Sequence, residues 1–399
     1  MPVAASGEVR RAQDFGPTIF ISAGEASGDV HGAGVVAALR QRFPDARLFG
    51  IGGDKMAAAG VELLEHSQSL SLMGFAEVVR HLPSIFRLRA TVLKEIAQRL
   101  PDLLILIDYP GFHFSLLQRV RRLAPSRRPR VLYYISPQVW AWRAGRAKQL
   151  AGLADHVAAI FPFETGIYDQ VGLASTFVGH PLLDELEPIP PRGEFLNSVG
   201  IEADDRVVAL LPGSRLQELR RHLPVMIRAA AILQRFVPGV RFALAEAPTI
   251  PSSFYAAHLT NQIAAVRGQT HALLAHANAA WVKSGSGTVE AAYFGNPFVV
   301  VYKTSALTYW LGKRVVKVPY VAMANLLAGE KVVPELLQRS ATAERLAAEI
   351  LPFLTNPKAI ESCRNQLKRV REELGSPGAA GRVADIASRL IAERKQVSG

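Results

Sequence analysis

Cysteine is nearly missing: Cys363 stands alone in 399 residues. A single thiol excludes an internal disulfide and a cysteine metal cage, and it suits a reducing compartment. Long apolar runs are missing as well. Nothing approaches the roughly 18 consecutive apolar residues of a membrane-spanning helix. Residues 1–16 lack the apolar stretch and small-residue cleavage site of a secretory leader, and they read as a disordered tail. There is no Asp-x-Asp pair and no His-Glu-x-x-His, and the histidines do not cluster beyond His271 and His276, so no divalent-metal ligand set is visible. Zinc-finger spacing and the Lys/Arg-Gly-Phe/Tyr ribonucleoprotein motif are absent, which argues against nucleic acid as a partner. Acidic residues are the scarcer sign, 34 against 46 basic, for a net charge of +12. Such a field draws polyanions, whether anionic lipid, phosphorylated substrate or nucleic acid. The balance of 49% hydrophobic to 20% charged residues is that of a globular chain, and the length allows two domains with a core each.

What is present starts with Ser22-Ala23-Gly24-Glu25-Ala26-Ser27-Gly28-Asp29. An apolar run, Thr18 to Ile21, precedes it and a helix-like run follows, the opening unit of a doubly wound α/β domain. The loop is neither a P-loop nor G-x-G-x-x-G. Glu25 and Asp29 are acids where a phosphate cradle would avoid them, so the loop reads as meeting a neutral, hydroxyl-rich ligand. The alternative is a tight turn with Asp29 capping the helix. Arg47 to Asp54 reads as a second strand ending in a glycine turn, and Gly74 interrupts the next apolar stretch, Ser71 to Val79. From His81 to Leu100 the pattern is a basic amphipathic helix, framed by Arg80, Arg87, Arg89, Lys94 and Arg99. It suits a lipid surface, or simply a domain helix with a solvated face.

Asp102 to Ile107 reads as a strand buried on both faces, ending at Asp108-Tyr109-Pro110-Gly111-Phe112-His113. A carboxylate at the carboxyl end of a central parallel strand sits where open α/β sheets bind ligands. Asp108 is therefore the strongest general-base candidate, with helix capping as the alternative. Val131 to Ile135 is the next strand, and Ser136-Pro137-Gln138-Val139-Trp140-Ala141-Trp142-Arg143 follows, aromatics beside an arginine that suit sugar stacking, a membrane interface or a domain edge. His156 to Phe163 reads as one more strand.

A proline-rich stretch from Glu187 to Gly193 marks the boundary, after which the same grammar restarts. Val207 to Leu211 is a strand, and Pro212-Gly213-Ser214-Arg215 is a loop whose arginine and helix N-terminus would hold a diphosphate. Lys283-Ser284-Gly285-Ser286-Gly287-Thr288-Val289-Glu290 is a further small-residue loop opening a helix. Its backbone donors suit phosphate oxygens, and Glu290 suits the hydroxyls of a ribose. Asn325 reads equally as the N-cap of a new helix. The expected organisation is a tail (1–16), a first Rossmann-like domain (17–186), a linker (187–195), a second Rossmann-like domain (196–362) and C-terminal helices (363–399) whose return to the first domain stays open.

The ordered series Ser22–Asp29, Gly50-Ile51-Gly52-Gly53, Leu72–Phe75, Ile107–Phe112, Ser136–Trp142, Phe163-Glu164, Val178-Gly179-His180-Pro181, Leu211–Arg215 and Asn325-Leu326-Leu327-Ala328-Gly329 closely resembles the lipid-A-disaccharide synthases, from about Ile19 to Leu374. The resemblance implies two Rossmann-like domains facing each other across a cleft, of the GT-B type, and an inverting, metal-independent glycosyltransferase without cofactor. Its donor would be UDP-2,3-diacylglucosamine, its acceptor 2,3-diacylglucosamine 1-phosphate, and its products a β-1,6-linked disaccharide 1-phosphate and UDP. It implies a cytoplasmic protein held peripherally on the anionic inner face of the inner membrane, and it leaves a homodimer open. Asp108 would be the general base, and Glu25 would be the second catalytic residue of the cleft. Arg215 would bind the diphosphate and Glu290 the ribose, with Gly213, Ser214, Ser284, Gly285, Ser286, Gly287, Thr288 and Asn325 completing the donor side. Ser27, Gly28, Asp29, Met73, Gly74, Phe75, His113, Gln138 and Trp140 would form the acceptor side of the cleft.

Departures from the pattern are His113, where asparagine is expected, and Trp281 and Lys283, where small residues are usual. Two other readings compete. A UDP-N-acetylglucosamine 2-epimerase of the same architecture would turn over its UDP-sugar alone. A non-catalytic basic protein would bind membrane or nucleic acid and release no UDP.

Overall fold

The computed structural model describes residues 16–68, 78–137, 145–259, 262–305, 309–310 and 318–398. The chain divides into two compact units, one running to Asp184 and resuming at Ser376, the other spanning Glu185–Gly375.

The first unit is built on a seven-stranded sheet: β1 (Thr18–Ala23), β2 (Arg47–Gly52), β3 (Glu62–His66), β4 (Leu103–Ile107), β5 (Arg130–Tyr134), β6 (His156–Ala159) and β7 (Ser175–Phe177). Its order is β3-β2-β1-β4-β5-β6-β7, every pair parallel. Helices cover both faces, so the middle strands must be apolar on both sides. All five residues of β4, Leu-Leu-Ile-Leu-Ile, are buried. The expected strand from His156 to Phe163 stops at Ala159, because Pro162 opens the helix Pro162–Asp169 and Glu164 accepts the Ile160 and Phe161 N–H groups at 3.1 and 3.2 Å.

The last helix, Ala379–Ser398, belongs to this unit. Asp184 accepts from the Gly378 and Ala380 N–H groups at its start (2.5 and 3.0 Å), and Arg382 donates to the Val178 carbonyl. Arg42, at the end of the helix Ala26–Arg42, pairs with Asp385 at 2.6 Å. Among the described residues no helix is long and apolar enough to cross a membrane.

The second unit repeats the plan with β8 (Val207–Leu211), β9 (Arg241–Glu246), β10 (Ile263–Arg267), β11 (Ala279–Lys283), β12 (Phe298–Tyr302) and β13 (Glu335–Leu337), in the parallel order β10-β9-β8-β11-β12-β13. The sheet buries a cluster on each face. Trp281 lies wholly inside one of them, stacked on Phe242 at 6.0 Å between ring centroids, with Nε1 donating to the Leu346 carbonyl. The bulky residue noted in the sequence is thus part of the core. The presumed linker is coil only as far as Pro191: Arg192–Ser198 is a helix that buries Phe195 and Leu196 in this unit. The helix Pro357–Glu372 also packs here through Cys363, Leu367 and Val370.

Candidate active site

In both sheets the strand order reverses once, between β1 and β4 and between β8 and β11. Loops leaving the carboxyl ends of such a strand pair diverge and open a crevice, the place where α/β sheets take ligands.

In the first unit Ala23 and Ile107 are register partners, so Gly24-Glu25 and Asp108-Tyr109 leave the sheet side by side. The Tyr109 ring lies against Gly24, where an added Cβ would stand 2.3 Å from a ring carbon. Burial and the nearby Glu25 both raise the Tyr109 phenol. Glu25 starts the helix Ala26–Arg42 without capping it through its side chain, and it is half-buried, as is Asp108. Asp108 and Tyr109 both have φ of +49°. Two consecutive non-glycine residues in the left-handed region cost about 1–3 kcal/mol each and persist only where the surroundings impose them. Here the Asp108 N–H donates to the Tyr134 carbonyl at 3.1 Å, and its carbonyl accepts the Tyr133 hydroxyl at 2.8 Å.

Three residues expected to meet the acceptor are taken up by the scaffold instead. Asp29 is 7% exposed, and its carboxylate accepts from the N–H groups of Gly53, Lys55 and Met56 at 2.7, 3.1 and 3.0 Å. It caps the helix Asp54–Ala58 rather than its own. Gly28 is buried against Ala23. His113 is fully buried, its ring nitrogens 2.7 Å from the Asp108 carbonyl and 2.9 Å from the Ser22 hydroxyl, so it makes no contact with an acceptor. Ser27 is exposed beside the loop. Met73, Gly74, Phe75, Gln138 and Trp140 lie outside the described residues.

In the second unit Leu211 and Val282 are partners, which sets the Gly213-Ser214-Arg215 turn beside Ser284-Gly285-Ser286. Gly213 has φ of +118°, and a Cβ there would meet a Glu218 carboxylate oxygen at 2.5 Å. Ser214, Arg215, Gly285 and Ser286 are exposed, and Arg215 stands at the N-cap of the helix Leu216–Leu233. Glu218 accepts from the Ser214 N–H at 3.2 Å and pairs with Lys283 at 2.7 Å. Burial opposes its charge, but Lys283, Arg215 and the Ser214 N–H together hold the carboxyl below the usual carboxylate range. His222 links two loops: its Nδ1 donates to the Pro212 carbonyl at 3.1 Å and its Nε2 accepts from the Lys303 N–H at 2.8 Å. Burial and Lys283 push it down to about 4. Glu290, at the first turn of the helix Gly287–Phe294, is half-buried 3.7 Å from His271, and its burial raises the carboxyl.

Two donor-side expectations are corrected. Asn325 is fully buried inside the helix Met323–Ala328, not at its N-cap. Its Nδ2 donates to the Val333 carbonyl and to Glu335, and its Oδ1 accepts from the Val332 and Val333 N–H groups, all at 2.9 Å. No capacity remains for a ligand. Thr288 is 1% exposed and its hydroxyl donates to the Gly285 carbonyl, bracing the loop from behind. Sequence reasoning missed Ser22, Tyr133, Glu218 and His222. Only Glu218 carries a local signal, an acid three residues after the N-cap.

A family model described as Lipid-A-disaccharide synthetase matches residues 19–386. The lipid-A-disaccharide synthase of Geobacter metallireducens is 42% identical over 380 residues, covering 94% of this chain and 98% of its own. That of Syntrophus aciditrophicus is 42% identical over 377 residues, covering 94% and 97%. Among solved structures, a calicheamicin glycosyltransferase superposes with a TM-score of 0.59 at 16% identity, over 94% of this chain and 98% of its own. The UDP-GlcNAc 2-epimerase of Neisseria meningitidis does so with 0.58 at 11%, over 94% and 100%. At such identities the likeness speaks to the fold alone.

Proposed function

The chain belongs to the lipid-A-disaccharide synthase family, a glycosyltransferase family of lipid A synthesis, and from that premise we propose how its residues divide the reaction. UDP-2,3-diacylglucosamine is the donor and 2,3-diacylglucosamine 1-phosphate the acceptor. Asp108 takes the proton of the acceptor 6-hydroxyl while that oxygen attacks the donor anomeric carbon from the face opposite UDP. The carbon–oxygen bond to UDP breaks, configuration inverts, and the β-1,6 linkage forms. Arg215 and the helix N-termini after Ser214 and Ser286 offset the charge growing on departing UDP, and Glu290 accepts from the ribose hydroxyls. Glu25, which leaves the sheet beside Asp108, is the second carboxylate of the catalytic centre.

The observation that carries this reading is Asp108: a half-buried carboxylate at the switch point of the first sheet, on a backbone forced into an uncommon conformation. The epimerase alternative is not favoured, since the relatives named synthases are about 40% identical and the epimerase likeness is at the level of fold.

The enzyme's substrates are lipids, and we read the protein as peripheral on an anionic membrane face. The +12 charge supports this. So does Phe86, 51% exposed on the helix Val78–Arg99 with the Arg89 guanidinium 4.9 Å over its ring, and so does Trp310, 54% exposed. Purified protein mixed with UDP-diacylglucosamine and the monosaccharide phosphate should yield the disaccharide phosphate and UDP, with neither formed when one substrate is omitted. Consumption of the UDP-sugar alone, or no product from the pair, would sink the proposal.

A further inference from the structure

His113 reaches no substrate, yet both of its ring nitrogens are engaged, and the partners fix its state. Nδ1 faces the Asp108 carbonyl at 2.7 Å, and a carbonyl only accepts, so Nδ1 carries the hydrogen. Nε2 is then bare and accepts the Ser22 hydroxyl at 2.9 Å. Burial pushes the ring down to about 4, against the raising effect of the Asp108 backbone contact, so it is neutral in this tautomer at neutral pH. The Asp108 carbonyl also takes the Tyr133 hydroxyl at 2.8 Å, so two buried donors converge on one oxygen. That oxygen belongs to the peptide joining Asp108 to Tyr109, the two residues with left-handed φ.

We propose that His113 is a positioning residue: its Nδ1–H, with the Tyr133 hydroxyl, locks the peptide plane after Asp108 and so fixes the direction of the Asp108 carboxylate. The proposal rests on Asp108 acting as general base. The competing account is that the ring merely fills space among Tyr109, Phe112 and Tyr133, whose centroids lie 5.8, 5.9 and 5.9 Å away. Under that account the shape matters; under ours, one hydrogen does.

Two amides separate them. The amide nitrogen of asparagine, like Nδ1, is bonded to Cγ, so His113→Asn keeps a donor for the Asp108 carbonyl and abandons Ser22. The glutamine amide reaches the Nε2 place, so His113→Gln keeps Ser22 and abandons Asp108. Steady-state kinetics with both lipid substrates, alongside thermal midpoints, would be run on the unmutated protein, His113→Asn, His113→Gln and Asp108→Ala. Asp108→Ala should lose a factor of roughly 10²–10⁴ in turnover. His113→Asn should stay within about threefold of the parent kcat. His113→Gln should lose about tenfold or more in kcat, with KM for either substrate changed less than about threefold, a split expected when transition-state geometry alone suffers. Equal losses in the two His113 variants, full kcat in His113→Gln, or a loss in KM alone would overturn the positioning role while leaving the general base intact. Near-normal turnover in Asp108→Ala would overturn the general-base reading and the positioning role with it. If His113→Gln does not fold, Tyr133→Phe tests the same carbonyl from its other donor: kcat should fall several-fold at constant KM, and an unchanged kcat overturns the proposal.

Discussion

Replacing Asn325 by alanine distinguishes a scaffold residue from a ligand. The carboxamide makes four hydrogen bonds of 2.9 Å, three of them to backbone groups of Val332 and Val333, and Asn325 and Val333 are both fully buried. Truncation leaves the Val333 N–H and carbonyl without this partner, at about 1–3 kcal/mol for each buried group so exposed, while the Val332 N–H keeps the Glu330 carbonyl at 3.1 Å. A water entering the vacated volume would recover part of this, leaving an expected loss of about 2 kcal/mol. That is a large share of the roughly 5–15 kcal/mol by which domains are stable. Hydrogen exchange is the direct assay: the Val333 amide should lose protection in Asn325→Ala, and the Val332 amide, which also donates to the Glu330 carbonyl, should lose less. A urea midpoint followed by Trp281 fluorescence should fall in parallel, because Trp281 lies in the core of the same unit. UDP affinity of the folded fraction, by calorimetry at low temperature, should stay within about threefold. The reasoning is refuted by the opposite pattern, protection and midpoint preserved while UDP binding collapses.

Arg215→Ala should weaken UDP binding about tenfold or more at low salt; unchanged calorimetric affinity would remove Arg215 from the diphosphate. Glu218 occupies the Ser214 N–H and pairs with Lys283, both suited to a phosphate oxygen. Glu218→Gln should therefore tighten UDP binding by roughly fivefold, about 1 kcal/mol, at low ionic strength, and weaker binding would count against the reading. His113, His156 and His222 are all held down to about 4 by burial. In each case the unfolded chain takes up a proton near 6.5 while the fold resists until about 4. Their contribution is complete above pH 6.5 and is lost as pH falls toward 4. Urea midpoints should decline across that window, and His156→Gln should flatten the decline if the His156 hydrogen bond to Thr176 is retained by the amide.

The parts of the fold legible in the sequence are those where burial leaves no choice of residue. β4 is five apolar residues in a row, and β8 and β12 read the same way. The edge strands carry a weaker signal. β3 is Glu-Leu-Leu-Glu-His, half-buried and polar at both ends, and β7 and β13 are three residues each, too short for a period to show. Site residues split along similar lines. The loop positions of Asp108, Gly213 and Arg215 follow from strand-then-turn grammar. The scaffold roles of Asp29 and Asn325 depend on N–H groups 24 to 27 and 7 to 8 residues later, which no local pattern announces. His222 is the extreme case, since its partners are 10 residues before it and 81 after.

The two units carry one topology and opposite chemistry. At the switch point of the first sheet the loops after the strands carry Glu25 and Asp108, both carboxylates, and the histidine behind them is buried in its uncharged form. At the equivalent point of the second stand Arg215 and Lys283, with Glu218 held ionised among them. A doubly wound sheet supplies the crevice in both cases, so it cannot be what assigns acid to one and base to the other. That assignment lies in a few loop positions, which is why an epimerase and a glycosyltransferase superpose on this chain about equally well. Exchanging loop charges should therefore alter what each unit binds while leaving its fold alone. Buried tethers such as Asp29 and Asn325 should behave the opposite way, with stability changing first.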